Sequence, residues 1–361
     1  MKIILVIQHG KVGGIEQHVF TLAKELKKHG LNPIIVMLFS GGPMIPLFEK
    51  ENIQYYILNG RNGHDITMAL RFRTLLKKEK PSIIHMHATT LMGAIIMWTV
   101  FNIPFIITEH MAKVGRVIPS KTKLIYILSH FRARKIIAVS ESTRQSLLNF
   151  NRTLESKVLT MYNGIEISLC ETVNLKKELS LDVEFLVGAV GRLDSGKGWE
   201  TFIKTAALVN KQLPTCHFVI IGDGPMRGKL ESLAIQYDVK EHIHFLGFRN
   251  DVRAILGSLD LYLLLSEYEA CPLSLLEAMA EKVPVAGFMP IGGVEEINNG
   301  IYPLLKQRDT NKLVKQIVSM LLSKADVTIK RETAFKRVTH KFDSVKMSSL
   351  VINIYNSVLQ K

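Results

Sequence analysis

The stretch "VGAVGRLDSGKGWETF", residues 187–202, contains the pattern from which the fold of the whole chain can be predicted. A short apolar run is typical of a buried strand, and a glycine-rich turn and a helical pattern follow it. Similar units recur along both halves of the chain. Strands that alternate with helices predict an α/β fold of parallel sheets covered by helices on both faces.

Strands are predicted at two series of positions. They are 2–7, 34–39, 54–58, 82–87, 105–108 and 136–139 in the first half, and 186–190, 217–221, 243–246, 261–265 and 283–287 in the second. Amphipathic stretches lie between many of them, such as "IEQHVFTLAKELKKHG", which Gly30 ends as a helix cap. The alternation is interrupted near residues 163–184, which indicates a linker. We therefore expect two doubly wound, Rossmann-like domains, with ligands bound in a cleft at the carboxyl ends of their strands.

Composition excludes several classes of protein. The 361 residues contain three scattered cysteines, Cys170, Cys216 and Cys271, and none of them belongs to a CxxC pair. This usage favours a reducing compartment over a disulfide framework or a thiolate zinc site. The longest apolar run, residues 91–108, is short for a membrane span and is interrupted by an asparagine and a proline, so a buried helix and strand are favoured. The apolar run at the amino terminus is too short for a signal peptide.

Positive charge is concentrated in the first half. Residues 1–165 hold 22 Lys and Arg against 9 Asp and Glu, whereas residues 166–361 hold 24 against 23. The net charge of +14 therefore comes almost wholly from the first half. Such asymmetry indicates an anionic partner: a membrane surface, nucleic acid or a phosphorylated substrate. No nucleic-acid-binding motif supports the second of these.

The segment 121–135 has the sharpest combination of apolar and basic residues. An apolar helical face is predicted, with basic residues at its two ends; the face is Leu124, Ile127, Leu128 and Phe131, and the basic residues are Lys121, Lys123, Arg132, Arg134 and Lys135. A core-facing helix with a solvated basic rim is slightly favoured. The alternative is docking on an anionic membrane surface.

Two glycine-rich turns could bind anions. Gly13 and Gly14 follow the first strand and open a helix, whose free N–H groups and dipole attract negative charge, although the spacing is not a dinucleotide fingerprint. Gly191 to Lys197 matches the P-loop spacing, but Gly198 stands where a magnesium-binding Ser or Thr is required. Arg192 and Lys197 still suit a phosphate group. For both turns the alternative is an ordinary structural loop.

Two further turns follow strands of the second half. Gly222 belongs to "GDGP", which either walls a ligand pocket or merely turns the chain. Gly292 and Gly293 precede a short helix, another N-terminus suited to phosphate.

Two carboxylates frame the apolar stretch "SEYEACPLSLLEAMA", residues 266–280. A strand, a loop and a helix from about Leu273 are predicted, so that Glu269 lies in the loop and Glu277 lies one turn into the helix. A carboxylate can accept hydrogen bonds from two vicinal hydroxyl groups of a sugar, and the positive end of a helix favours its charge. A capping role for one of the two remains open.

Taken together, these motifs resemble those of glycosyltransferase family 4, retaining enzymes with the two-domain B-type fold. They occur in order along nearly the whole chain: "GGIE" at 13–16, "TEH" at 108–110, "VSES" at 139–142, "NGIE" at 163–166, "GRLDSGKG" at 191–198, "GDGP" at 222–225, "FLGF" at 245–248, the two glutamates, and "GG" at 292–293. With this resemblance the expected domains are 1–166 on the acceptor side, 167–341 for the nucleotide sugar, and a final helix, 342–361, that crosses back to the first.

The resemblance also implies roles for single residues. Arg192 and Lys197 would neutralise the diphosphate of a nucleotide-sugar donor, and Glu277 would bind its ribose. Glu269 and His110 would be the catalytic residues: Glu269 beside the reacting face of the transferred sugar, and His110 near its 6-position or the acceptor. The glycine loops, with Gly13, Gly14, Gly222, Gly292 and Gly293, would border the diphosphate or the acceptor.

The implied reaction is transfer with retention from a UDP-sugar, favoured over a GDP-sugar, without a metal. The basic first half and the segment 121–135 favour an acceptor that is lipid-linked or a polysaccharide, at the inner face of the cell membrane. A nucleotide-sugar epimerase and a transferase with a soluble acceptor remain as alternatives, and a non-catalytic binder is disfavoured.

Two further predictions concern a pair of histidines and the end of one helix. His85 and His87 share one face of a strand, and with no third ligand evident a buried structural role is favoured over a metal site. Lys282 stands where the family usually ends a helix with glycine, so it must adopt a positive φ or the helix must end differently.

Overall fold

The computed structural model describes residues 1–87, 97–98, 100, 102–110, 127–168 and 171–360, without the side chains of 324–327. The chain divides into two compact units. One comprises residues 1–166 together with 342–361, and the other comprises residues 167–341. The predicted α/β fold is confirmed, since each unit is built on a parallel sheet.

The first unit contains a seven-stranded sheet in the order β3-β2-β1-β4-β5-β6-β7. Its strands are β1 Lys2–His9, β2 Asn32–Ser40, β3 Gln54–Ile57, β4 Ile83–Met86, β5 Phe105–Glu109, β6 Lys135–Ala138 and β7 Val158–Thr160. Its helices include α1 Gly14–Lys28, α2 Ile45–Lys50, α3 Ile66–Glu79 and α4 Glu141–Phe150, followed at the end of the chain by Ser344–Leu359. The short edge strand β7 was not predicted.

Alternation along β1 explains why this sheet is buried on both faces. Ile4 and Val6 contribute to one apolar cluster, whereas Ile3 and Leu5 contribute to the other. Successive side chains of a strand point to opposite faces, so an unbroken apolar run is required where helices cover both. The final helix Ser344–Leu359 supplies apolar residues to the second cluster, namely Met347, Val351, Tyr355 and Val358. The end of the chain is therefore part of the first unit.

The second unit contains a five-stranded sheet in the order β10-β9-β8-β11-β13. Its strands are β8 Phe185–Val190, β9 Cys216–Ile221, β10 Ile243–Gly247, β11 Leu261–Leu264 and β13 Val285–Gly287, and a separate pair is formed by β12 Tyr268–Glu269 and β14 Ile291–Gly292. The helices are α5 Leu175–Glu178, α6 Trp199–Asn210, α7 Arg227–Gln236, α8 Val252–Leu256, α9 Leu273–Ala280, α10 Val294–Asn298, α11 Thr310–Leu322 and α12 Lys324–Lys341, so that Ser344–Leu359 is α13.

Helix ends follow the local sequence. Several helices begin at a side-chain N-cap that accepts backbone N–H bonds, as Asp65, Ser140, Asp309 and Asp343 do. By contrast, α1 and α6 begin at Gly13 and Gly198, neither of which has a side chain to cap the helix. Lys282 adopts a φ of 56°, so the first of its two expected conformations is correct.

The expectation of a core-facing helix at 121–135 is wrong for the residues that the structure describes. Residues 127–132 are helical, but Leu128 and Phe131 are 39% and 64% exposed, whereas Ser129 and His130 are buried. The apolar spacing predicted the helix correctly but could not indicate which side the fold would cover. Leu124 and the basic residues Lys121 and Lys123 lie outside the described residues.

Candidate functional site

The strand order places two loops of the second unit side by side. The order of strands reverses between β8 and β11, and in open α/β sheets such a switch point opens a crevice at the carboxyl ends of the strands. The loop 191–198 follows β8, and the segment 265–269 follows β11. A backbone hydrogen bond of 2.8 Å from the Glu267 N–H to the Gly196 carbonyl joins them.

Lys197 and Glu269 form an ion pair at this edge. The Lys197 ammonium Nζ lies 2.7 Å from Glu269 Oε1, and the Glu269 side chain is only 13% exposed. These side chains also line a small cavity of about 20 Å³ together with Tyr262 and Ser274, which are hydrogen-bonded to each other. A cavity of this size holds about one water molecule. The sequence singled out both charged residues but did not predict that they meet.

The geometry of Gly198 explains the departure from the P-loop pattern. Its φ is +82°, and a Cβ placed there would overlap the carbonyl oxygen of Leu265. No residue with a side chain fits without a shift of the backbone. The Ser or Thr of a magnesium-binding P-loop is therefore excluded by the contact between the two loops.

Arg192 lies at the open side of the same loop. Its Nε is 2.9 Å from Asp194 Oδ2, and its side chain is 51% exposed. The Trp199 indole N–H donates a 2.9 Å hydrogen bond to the Arg192 carbonyl, which fixes the backbone beneath the guanidinium group. An exposed ion pair of this kind contributes little to stability, so Arg192 can exchange Asp194 for an anionic ligand at low cost.

Glu277 projects from α9 and is partly buried. Its carboxylate makes no hydrogen bond or ion pair with any residue that the structure describes. Burial raises the pKa of Glu277 to about 7; Arg253 lowers it, and Glu281 raises it further. Burying a carboxylate without a partner costs free energy. Glu277 is therefore a candidate to bind a ligand that donates hydrogen bonds.

The glycine turns lie close to these side chains. Gly222 holds a φ of +139°, and a Cβ there would overlap the Gly191 carbonyl oxygen, so the "GDGP" turn packs directly on the loop 191–198. Gly292 pairs with Glu269 in the short β12–β14 ladder, and the Gly293 N–H donates a 2.9 Å bond to the Glu269 carbonyl. This ladder was not predicted from the sequence, and it brings the Gly292–Gly293 turn beside Glu269.

In the first unit, Gly13 leaves the N-terminus of α1 uncapped. Gly13 is extended, with a φ of −167°, and Gly14 has open space where a Cβ would stand. The sheet of this unit reverses between β1 and β4, so the turn containing Gly13 and Gly14 lies at its switch point.

Histidines gather at the same edge. His87 Nδ1 lies 3.2 Å from His110 Nε2, and the rings of His18 and His110 are 5.0 Å apart. His85 is held separately, with Nδ1 2.8 Å from the Tyr355 hydroxyl and Nε2 2.7 Å from the Thr108 hydroxyl. Burial lowers the pKa of His18 to about 4 and moves the pKa values of His87 and His110 well below the usual value. His18 was missed because nothing in its helical pattern distinguishes it from a core residue.

Two family models match this chain. "Glycosyltransferase Family 4" matches residues 12–169, and "Glycosyl transferases group 1" matches residues 172–337. Similar proteins include an uncharacterised glycosyltransferase of Methanocaldococcus jannaschii, 29% identical over 83% of each chain. Another is the UDP-Gal:alpha-D-GlcNAc-diphosphoundecaprenol alpha-1,3-galactosyltransferase of Escherichia coli, 27% identical over 61% of each chain.

Solved structures resemble the chain along its whole length. The structure of Anabaena HepE with UDP-glucose has a TM-score of 0.86 at 20% identity, covering 99% of this chain and 100% of that one. The glycosyltransferase WaaG, involved in lipopolysaccharide biosynthesis, has a TM-score of 0.78 at 15% identity, with 98% and 99% covered. At these identities the likeness shows the fold.

Proposed function

This chain belongs to glycosyltransferase family 4, and we propose that it transfers a sugar from a nucleoside-diphosphate donor to a lipid-linked or polysaccharide acceptor. The observation that carries the proposal is the set of charged side chains that follows the strands of the second sheet. Arg192 and Lys197 supply positive charge there. Glu277, on the helix α9 that follows the segment 265–269, supplies a carboxylate that has no partner among the described residues. A nucleotide sugar presents a diphosphate between two hydroxyl-bearing rings, which matches this arrangement of charges.

The donor diphosphate is assigned to Arg192 and Lys197. Cations at this place stabilise the charge that develops on the leaving diphosphate as the bond to the sugar breaks. Binding would draw Lys197 away from Glu269, and the released carboxylate could then accept a hydrogen bond from the transferred sugar. Two side-chain cations and the uncapped N-terminus of α6 supply the charge that a metal ion provides in other enzymes, so the transfer is proposed to need no metal.

UDP is the favoured nucleotide. Support comes from similar proteins, since HepE was solved with UDP and UDP-glucose and the Escherichia coli relative is named for UDP-Gal. Glu277 is assigned to the ribose hydroxyl groups.

Retention of configuration is part of the proposal. The expected step is a same-face displacement through an oxocarbenium-like state, in which the departing donor phosphate assists attack by the acceptor hydroxyl. That hydroxyl gives its proton to the phosphate oxygen while the sugar–phosphate bond breaks. His110 is assigned to contact the sugar at its 6-position or the acceptor, on the family resemblance.

An exposed apolar and basic surface supports a membrane-bound acceptor. The rings of Trp98 and Phe131 stack at 6.4 Å, Phe131 is 64% exposed, and Lys157 Nζ lies 5.0 Å from the Phe131 ring centroid. Burial lowers the pKa of Lys157, and the nearby charges of Arg134 and Arg132 lower it further. Aromatic groups among cations suit the interface of an anionic bilayer. Among the helices that the structure describes, none has the length and the apolar composition of a membrane span.

Liposome flotation at low salt tests this surface. The wild-type chain should float with anionic vesicles and remain behind with neutral ones, and Phe131→Ser should weaken flotation severalfold. Phe248→Ser is the matched control, because Phe248 is 40% exposed on the second unit. Equal recovery with neutral and anionic lipids would remove the basis of the membrane assignment.

Product analysis tests the reaction itself. The purified chain in chelator would be supplied with UDP- and GDP-sugars and with polyprenyl-diphosphate-linked or soluble acceptors, and nucleotide release and product mass would be measured. The proposal predicts UDP release that depends on the lipid-linked acceptor and an α-configured product from an α-configured donor. Epimerised donor in the absence of any acceptor would instead support the epimerase alternative, and transfer only to soluble acceptors would overturn the lipid-linked assignment.

A further inference from the structure

Three imidazole rings meet at the carboxyl edge of the first sheet. His18 lies on α1, His87 directly follows β4 and His110 directly follows β5. One ligand nitrogen from each lies within 4.8 Å of the other two. We propose that His18, His87 and His110 form a binding site for one borderline transition-metal ion of the Zn²⁺ class.

The spacing of the rings suits a tetrahedral ion. Zinc binds imidazole nitrogens at roughly 2.0–2.1 Å, so two ligands of one tetrahedral ion lie about 3.3–3.4 Å apart. His87 Nδ1 and His110 Nε2 are 3.2 Å apart, close to that separation. His18 is the ring that must approach, and its ring centroid is 5.3 Å from that of His87.

Unsatisfied nitrogens provide an independent indication of a ligand. Both nitrogens of the fully buried His18 have no hydrogen-bond partner among the residues that the structure describes. Buried polar groups are nearly always hydrogen-bonded, so an orphaned one indicates a place for a bound water or ion.

The neighbouring His85 is not one of the proposed ligands. Both of its ring nitrogens are already engaged, by Tyr355 and by Thr108, so it is not a fourth ligand. Three imidazoles select zinc, copper or nickel over magnesium or calcium, which prefer oxygen ligands. Three protein ligands leave one position of a tetrahedral ion for water.

The metal site goes beyond the proposed transfer reaction, with which it shares only His110. A metal ion on His110 would compete with the contact to sugar or acceptor assigned to that residue, so bound zinc is expected to act against transfer.

Metal uptake tests the site without any donor or acceptor, so its outcome is independent of the transferase proposal. Chelator-treated protein would be dialysed against Zn²⁺, and bound zinc would be measured by elemental mass spectrometry. The wild-type chain should bind one ion, and His18→Phe should reduce uptake at least tenfold while keeping the circular dichroism spectrum. His217→Phe is the matched control: His217 Nδ1 lies 2.9 Å from His244 Nε2 in a separate histidine cluster on the second unit.

Cobalt substitution provides a second measurement that needs no variant. Co²⁺ bound by three imidazoles in a tetrahedral site should give an intense visible absorption that Zn²⁺ displaces. Uptake that is equal in wild type and His18→Phe, uptake that is lost in His217→Phe, or absence of the cobalt absorption would each overturn the proposal.

Discussion

Lys197 and Glu269 are 72 positions apart in the chain, yet Lys197 Nζ lies 2.7 Å from Glu269 Oε1. The pair joins the loop after β8 to the segment after β11, at the point where the strand order reverses. Both residues have proposed roles toward the donor, and in the unliganded chain each neutralises the other. Donor binding is therefore expected to replace this ion pair with two contacts, one between Lys197 and the diphosphate and one between Glu269 and the transferred sugar.

Replacing Lys197 with alanine removes a cation from the leaving diphosphate and leaves Glu269 without its partner. We expect kcat/KM for the donor to fall about 10²- to 10³-fold, the usual effect of losing one group that stabilises developing charge. Steady-state nucleotide release measures this. Lys229→Ala is the control, because Lys229 forms an exposed ion pair with Glu200 and should leave turnover unchanged. Intact turnover in Lys197→Ala would refute the diphosphate assignment.

The pH dependence of donor binding tests Glu277. Its pKa of about 7 means that the carboxylate gains a proton as the pH falls through 7, and a protonated group loses an acceptor for the ribose. The donor KM should therefore rise below pH 7, approaching about tenfold per pH unit, and level off above it. Glu277→Gln should bind weakly at every pH, with no inflection near 7. The exposed Glu200→Gln should keep the wild-type profile, and an inflection that survives in Glu277→Gln would assign it to another group.

Gly196 and Gly198 offer a matched test of the loop geometry. Their φ values are +81° and +82°, but a Cβ at Gly196 meets open space, whereas one at Gly198 overlaps the Leu265 carbonyl. Gly196→Ser should lower the free energy of unfolding by about 1–2 kcal/mol, the cost of a side chain in the left-handed region. Gly198→Ser should cost about 1–3 kcal/mol more because of the overlap. Chemical denaturation measures both, and equal losses would show that the contact with Leu265 is unimportant.

The same substitution tests the departure from the P-loop pattern. Gly198→Ser restores the residue that a magnesium-binding loop requires, yet the structure predicts no gain in stability with ATP and magnesium. A ligand-induced rise in the melting temperature of this variant alone would contradict that.

Tyr355 connects the final helix to the core of the first unit. Its hydroxyl lies 2.8 Å from His85 Nδ1, and both residues are fully buried. Tyr355→Phe leaves a buried imidazole nitrogen unsatisfied, so the free energy of unfolding should fall by about 1–3 kcal/mol. The partly exposed Tyr237→Phe should change it by less than about 0.5 kcal/mol. Similar midpoints of denaturation for the two variants would show that the Tyr355 bond contributes nothing.

The sequence predicted the strands that are long and buried, because a short apolar run between two turns strongly favours a buried strand. The three-residue strand β7 and the two-residue ladder of β12 and β14 were not predicted, since their pairing depends on loops that meet only in the folded chain. Periodicity also assigned Leu128 and Phe131 to a helix but gave the wrong environment, because an amphipathic face looks the same whether it faces a core or solvent.

The candidate site was predicted residue by residue, whereas its contacts were not. Glycine-rich turns and charge indicated four residues of the site, namely Arg192, Lys197, Glu269 and Glu277. The pairing of Lys197 with Glu269 could not be predicted, because it depends on the relative positions of β8 and β11. The third histidine beside His87 and His110 is His18 on α1, and the ligand atoms of the three lie within 4.8 Å of one another. Such clusters come from residues distant in sequence and need the folded structure.

Thermal unfolding with nucleotides in chelator tests the central claim most directly. A ligand at about 100 times its dissociation constant stabilises the folded chain by roughly 2.7 kcal/mol, which is readily seen as a rise in melting temperature. The account predicts a rise with UDP without any metal and little or none in Lys197→Ala. A rise only with ATP and magnesium, or only with NAD, would contradict it.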